Sequence, residues 1–367
     1  MLLLLLLFST FTPTLSLSMA TPQHTPLVRA ASHAGTWYSS DPSVLANQLS
    51  SFLSSPPNLP QPSSPPPPLP VAQFTPHAGY SYSGSCAGAA FQAGLSARLA
   101  SSSFSSSSAP SSSSSSSSSA LSTIFVLHPS HHLPLNGVGI SIAAFCATPL
   151  TSSNLPVDRD LLSSISSALA SAGVAVTELS LAQDEREHSA ELEYPFIAHL
   201  LEASGSKAMI VPLMIGSNTP ASSKAIGVSL APFLFAPSAF SVVSSDFCHW
   251  GARFQYTPFL SEGSRASPSS SIGSLITALD QEGMAEITRL SPSGFAAYAD
   301  RTGNTICGRR VVEVLLFANE AMNEEENEVR WFRYEKSSEV KGAGDASVSY
   351  AGGVLYRHAG SNERETK

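Results

Sequence analysis

The run Thr123-Ile124-Phe125-Val126-Leu127 passes directly into His128-Pro129-Ser130-His131-His132. Apolar and β-branched residues closed by a proline and a serine read as a buried strand followed by a turn. The same grammar recurs twice. Residues 71–75 lead into Pro76-His77-Ala78-Gly79-Tyr80, and residues 240–243 lead into Ser244-Ser245-Asp246-Phe247-Cys248-His249-Trp250. In an open α/β sheet, ligands gather beyond the carboxyl ends of the strands. Three strand ends therefore carry imidazoles, a carboxylate and a thiol towards one edge. Those side chains bind transition metals or move protons.

Outward from these runs the chain alternates. Helical spacing of leucines marks 43–53 and 158–172, and an Ala-rich helix covers 85–99. Strands are expected at 138–145, 174–179 and 208–215, and helices at 189–203, 275–289, 293–299 and 308–320. Strand–helix alternation predicts a single α/β domain over 29–357, with a mostly parallel central sheet covered by helices. Insertions interrupt it. Residues 55–70 are rich in Pro and Ser, and 100–122 contain nine consecutive serines, Ser111–Ser119. Both are expected to be disordered, as is a shorter serine-rich stretch at 261–271, because such segments bury too little apolar surface to order themselves. Residues 323–328 are acidic and expected as a solvated turn, and 358–367 as a C-terminal tail.

Composition narrows the function. Hydrophobic residues make up 43% of the 367 and charged ones 13%, which supports a real core. The net charge of −8 and the lack of a Lys/Arg block disfavour nucleic acid as a partner. Four cysteines without a C-x-x-C pair argue against a zinc ribbon or a disulfide scaffold and fit a reduced, cytoplasmic protein. Residues 1–28 form a leader or extension. Leu2 to Leu7 could serve as the apolar stretch of a cleaved secretory signal, with Met19 as the alternative start. No segment reaches the length of a transmembrane span. The fingerprints G-x-S-x-G, P-loop and G-x-G-x-x-G are missing, so hydrolase, NTPase and dinucleotide-binding readings lose support.

For one histidine past a strand, capping a carbonyl is the simpler reading. His77, His131, His132 and His249 are four of ten, and their convergence favours a shared site. Asp246 and His249 read either as an acid/base pair or as an Asx turn. Glu185, Glu187, His188 and Glu191 open the expected helix at 189–203. They suit a proton relay or support for a metal, or else a solvated helix start. Cys248 reads as a small buried hydrophobe. Cys307, in Asn304-Thr305-Ile306-Cys307-Gly308, offers a soft thiolate ligand.

Taken together, the chain resembles the Memo family (mediator of ErbB2-driven cell motility). The stretches that carry the likeness run in order. They are Ala31-Ser32-His33-Ala34-Gly35-Thr36-Trp37-Tyr38, Pro76 to Tyr80, Gly84-Ser85-Cys86-Ala87, Pro129 to His132, Glu187-His188-Ser189, Val242 to Trp250, Asn304 to Gly308, and Ser347-Val348-Ser349-Tyr350-Ala351-Gly352-Gly353. The resemblance implies a fold similar to class III extradiol dioxygenases. It implies a metal set of His77, His131 and Cys307 for a copper or iron ion. Asp246, His249 and His188 would then be the neighbouring catalytic groups. It also implies redox chemistry or redox signalling, or, as the alternative, an adaptor that docks a phosphopeptide or signalling protein in the same cleft. Two residues depart from the pattern. His128 stands where a small residue is expected, open to reading as a fourth ligand or a core residue. Glu193 stands where animal members tend to have His, which bears on peptide docking more than on the metal set.

Overall fold

The computed structural model describes residues 25–64, 69–103, 120–150, 154–259, 271–323 and 327–358. The serine run 111–119, residues 1–24, most of the 261–271 and 358–367 segments and half of 323–328 lie outside the described residues.

Four parallel strands form the centre of one large sheet: β2 (Leu69–Thr75), β9 (Ala239–Ser244), β3 (Thr123–Pro129) and β8 (Met209–Ile215), adjacent in that order. Every residue of β3 is buried, as expected for a central parallel strand covered on both faces. On each flank the strand next to the centre runs antiparallel to it. Beyond β2 lie β12 (Ser347–Arg357) and then β11 (Glu328–Lys336) and β10 (His249–Trp250), both paired with β12. Beyond β8 lie β4 (Val138–Ser141) and β7 (Val176–Leu179). A separate small sheet joins β1 (Val28–Arg29), β5 (Phe145–Cys146) and β6 (Leu155–Pro156).

The helices are α1 (Pro42–Leu53), α2 (Tyr80–Phe91), α3 (Ala97–Ser103), α4 (Arg159–Ser171), α5 (Leu181–Asp184), α6 (Tyr194–Ser204), α7 (Pro220–Leu234), α8 (Ile272–Thr288), α9 (Pro292–Thr302) and α10 (Arg309–Ala321), with a π-helical segment, Gln92–Ser96, joining α2 to α3. The chain crosses from β2 to β3 through α2 and returns from β8 to β9 through α7, in opposite directions along the sheet. Right-handed crossovers then put α2 and α7 on opposite faces. Accordingly α2 packs on β2 and β12, while α7 and α10 pack together and on β9. Leu162, Ile165 and Leu169 form the buried face of α4, as their spacing predicted.

Several boundaries differ from the sequence reading. The strand expected at 138–145 is split between two sheets, β4 and β5. The helix expected at 189–203 begins only at Tyr194, with Pro195 in its first turn, where the missing N–H costs nothing. Residues 185–193 are turns instead. The sequence reading assigned no element to α7 or to the β11–β12 hairpin. Residues 58–61 of the Pro/Ser-rich insertion lie against β11, where Asn58 and Leu59 donate their backbone N–H groups to Phe332 and Gln61 bonds Trp331.

One buried cation anchors the 185–193 turns. The Arg29 guanidinium, fully buried on β1, pairs with Asp184 at 3.0 Å and Glu191 at 2.6 Å and donates to the carbonyls of Asp184 and Glu187. Arg29→Met should remove about 3–5 kcal/mol of stability, because it strands two buried carboxylates. Urea unfolding would measure it; a loss below about 1 kcal/mol, the scale of an exposed pair, would mean that the pair does not anchor the turns.

Candidate metal centre

Three adjacent parallel strands end at the same edge, and each delivers part of the site. His77 follows β2, His131 follows β3 and Asp246 follows β9. The arrangement depends on β9 lying between the other two, an order that the sequence does not state. Cys307 arrives from elsewhere, just ahead of α10. Gly308, the N-cap of α10, brings its N–H to the Ser245 hydroxyl at 3.1 Å; a Cβ there would collide with the Ser245 side chain. Gly79 plays a similar part at a negative φ. It lets the start of α2 sit against the Trp37 carbonyl, which accepts the Tyr80 N–H.

His77 is buried. Its Nδ1 lies 2.7 Å from Ser244 Oγ, its backbone N–H donates to Asp246 Oδ1, and its Nε2 lies 3.1 Å from Cys307 Sγ. Burial, reinforced by the neighbouring His131 and His188, holds the imidazole well below its usual range. His131 is tied to the opposite wall. Glu187 accepts its backbone N–H at 2.6 Å and its Nδ1–H at 2.8 Å. Burial opposes a charge there, but bonds to Cys307 and Glu187 outweigh it and push His131 up to about 10. The same contacts hold the Glu187 carboxyl well below the carboxylate range, despite its burial. The Cys307 sulfur accepts the Asp246 backbone N–H at 3.2 Å, while burial raises its thiol.

Two overlapping donor groups result. His77, His131 and His188 offer nitrogens within 4.8 Å of one another, and His77, Asp246 and Cys307 offer a second set within the same limit. His77 belongs to both. Each of His77 and His131 has its Nδ1 committed to an oxygen, which orients each ring and leaves Nε2 as the nitrogen a metal ion would take, in His131 with release of a proton. Two imidazoles that present Nε2 beside a thiol fit a borderline or soft transition-metal ion.

His188 does not share a helix face with Glu191. It sits in a turn, stacked on His131 at 4.7 Å and tilted against Trp37 at 4.4 Å between ring centroids. Its Nδ1 lies 3.3 Å from Glu187 Oε1 without the alignment of a hydrogen bond, and burial lowers it to about 3. Glu191 faces Arg29, His33 and Tyr38. Glu187 and Glu191 are buried anions with partners, unlike the groups of a solvated helix start. Asp246 is buried and supports His77. His249 belongs to neither donor group; its Nδ1 lies within 3.1 Å of the Phe247 and Thr305 carbonyls. His132 is exposed, at 6.1 Å from His188. His128 lies within β3, bonded to Ser189 Oγ at 3.0 Å and outside both groups, so it is a core residue. Cys248 is a buried small side chain.

Sequence reasoning did not single out Ser189, Ser244, His33 or Trp37 for the site. Ser189 links its parts: its N–H goes to Glu187, its hydroxyl to the Pro129 carbonyl, and its own carbonyl accepts from Ser244. His33 and Trp37 were legible only as part of the family-like stretch at 31–38.

An α/β domain whose parallel strand ends gather imidazoles, carboxylates and a thiol is the class that fold and site define. The family described as Memo-like protein matches residues 29–354, so the chain belongs to the Memo family. It is 34% identical to the Protein memo-1 homolog of Caenorhabditis elegans over 334 residues, 90% of this chain and 83% of that one. It is 34% identical to a MEMO1 family protein of Schizosaccharomyces pombe, covering 88% and 97% of the two chains. It is 33% identical to Protein MEMO1 of Homo sapiens, covering 90% and 98%. Among the described residues no helix is long and apolar enough to cross a membrane.

His128 generates a pH test. Burial lowers its imidazole to about 4, against a pull from Glu187 and Asp184. The unfolded value is about 6.5, so stability is full above that pH and is lost as pH falls towards 4, where only the unfolded chain takes the proton. Urea unfolding should show a loss of about 2 kcal/mol from this group between pH 7 and 5. His128→Asn, which keeps a donor for Ser189, should lack that part of the pH dependence. An unchanged slope would refute the assignment.

Proposed function

We propose that this chain binds copper or iron through His77, His131 and Cys307 and acts in redox chemistry or redox signalling. The observation that carries the reading is the orientation of the two rings. Each Nδ1 is occupied by a protein oxygen, and the Cys307 sulfur sits against His77 Nε2, whose ring centroid lies 5.2 Å from that of His131. When bound, the ion would supply one-electron redox capacity at a His/His/thiolate site. The chain's own groups supply the rest. Glu187 and Ser244 orient the rings. Asp246 fixes the His77 backbone, and Asp246, His249 and His188 are the groups suited to orienting and proton transfer around the ion. The fold reading, similar to class III extradiol dioxygenases, supports an open position at the strand edge. Cys307 in place of a carboxylate argues against ring cleavage itself.

A second reading is an adaptor that takes a phosphopeptide or signalling protein in the same cleft. Trp37, 36% exposed and tilted against His188, favours it, because an aromatic face at the mouth of a cleft suits a peptide side chain.

Anaerobic titration of the purified protein with Cu(I) and Fe(II), then oxygen consumption with a reductant, separates the two. Cys307→Ser and His131→Ala should abolish tight binding, and His249→Ala should weaken it by roughly 10–100-fold. If His249→Ala loses the ion as completely as His131→Ala, His249 is a ligand. If none of these substitutions alters metal content or oxygen use, the adaptor reading stands.

A further inference from the structure

Behind His77 lies a chain of buried groups of which the metal reading uses only Ser244. Ser244 Oγ has three partners: His77 Nδ1 at 2.7 Å, the Ser189 carbonyl at 2.8 Å and Glu193 Oε1 at 2.8 Å. A hydroxyl owns one proton and two lone pairs. The Ser189 carbonyl can only accept, so it takes the hydroxyl proton. Both remaining partners must then donate to Ser244: His77 from Nδ1–H and Glu193 from a protonated Oε1. Any other arrangement leaves two oxygen acceptors facing each other at 2.8 Å in a dry interior, at a cost of about 1–3 kcal/mol.

The surroundings of Glu193 agree. The side chain is fully buried and enters no ion pair among the described residues. Its Oε2 has no hydrogen-bond partner of good geometry, which is far more costly for an ionised carboxylate than for a neutral acid. Burial, with Asp246 nearby, pushes the group up to about 8 against the pull of the Ser244 and Thr75 hydroxyls.

We propose that Glu193 is a positioning residue for His77: it is held as the neutral carboxylic acid, donates to Ser244, and through Ser244 fixes the His77 proton on Nδ1. The use of the remaining Nε2, which faces Cys307, rests on the metal-binding reading; the proton arrangement does not. A neutral donor on Ser244 weakens it as an acceptor for His77. An anionic Glu193 would instead draw the Ser244 proton and strengthen the imidazole as a base.

The metal-free full chain, labelled with 15N-histidine, tests this by long-range proton–nitrogen NMR together with difference infrared spectroscopy. The wild type should show His77 as the neutral Nδ1–H form and a protonated-carboxyl stretch that disappears in Glu193→Gln. Because the amide still donates to Ser244, Glu193→Gln should leave the His77 nitrogen shifts in place. Glu193→Ala should move them, but not in a Ser244→Ala background. An ionised Glu193 at pH 7, a His77 proton on Nε2, or His77 shifts indifferent to Glu193→Ala would each overturn the proposal. Should Glu193→Ala fail to fold, the wild type and Glu193→Gln spectra decide alone. Cu(I) titration of the wild-type protein separates the two readings: the expected NMR and infrared results without copper binding would refute the metal site and leave the proton arrangement standing.

Discussion

A fully buried guanidinium holds the rest of the site in place. Arg29 cannot lose its proton, so its burial must be matched by acceptors. It finds them in Asp184, Glu191 and three backbone carbonyls, those of Ala30, Asp184 and Glu187. That pins an irregular segment, 185–193, over the strand edge, with no helix or sheet ladder to support it. Glu191 then recruits His33 and Tyr38 from the N-terminal segment. The small β1 sheet, at first sight peripheral, is therefore what brings Glu187, His188 and Trp37 to the histidines that the large sheet supplies.

The second constraint is the sheet order. Because β9 lies between β2 and β3, the turn after β9 sits between the His77 and His131 turns. Asp246 can thus reach the His77 backbone while its own N–H meets the Cys307 sulfur. Each imidazole is oriented by a different kind of oxygen, a carboxylate for His131 and a hydroxyl for His77. The two rings consequently differ in character. His131 carries an anion at its back and favours the charged form, whereas at His77 burial and the neighbouring His131 and His188 outweigh the pull of Glu187 and favour the neutral one.

Membership of the Memo family rests on similarity along almost the whole domain, and the site geometry is independent of that similarity. The two meet at Glu193. The family resemblance leads to the expectation of His at this position, and the structure makes Glu193 the far end of a hydrogen-bonded chain to His77.

What the sequence determined by itself was local. Short apolar runs closed by Pro, Ser and Gly specified the strands of the parallel centre, and leucine spacing specified the buried face of α4, because both patterns are properties of neighbouring residues. His77, His131 and Asp246 were legible as a group because each lies just past such a run. The sequence did not reveal that 185–193 is a pinned turn and not the start of a helix. Its glutamates suit a helix start, and only the distant Arg29 overrides that preference. Nor did it reveal the C-terminal hairpin, whose strands are defined by their pairing with β2 and each other. Cys307 was suggested by resemblance, but its approach to His77 depends on α10 packing close against Ser245, a contact between residues 63 positions apart. Pairings across such distances are fixed by burial and hydrogen-bond satisfaction in three dimensions, which no window of sequence contains.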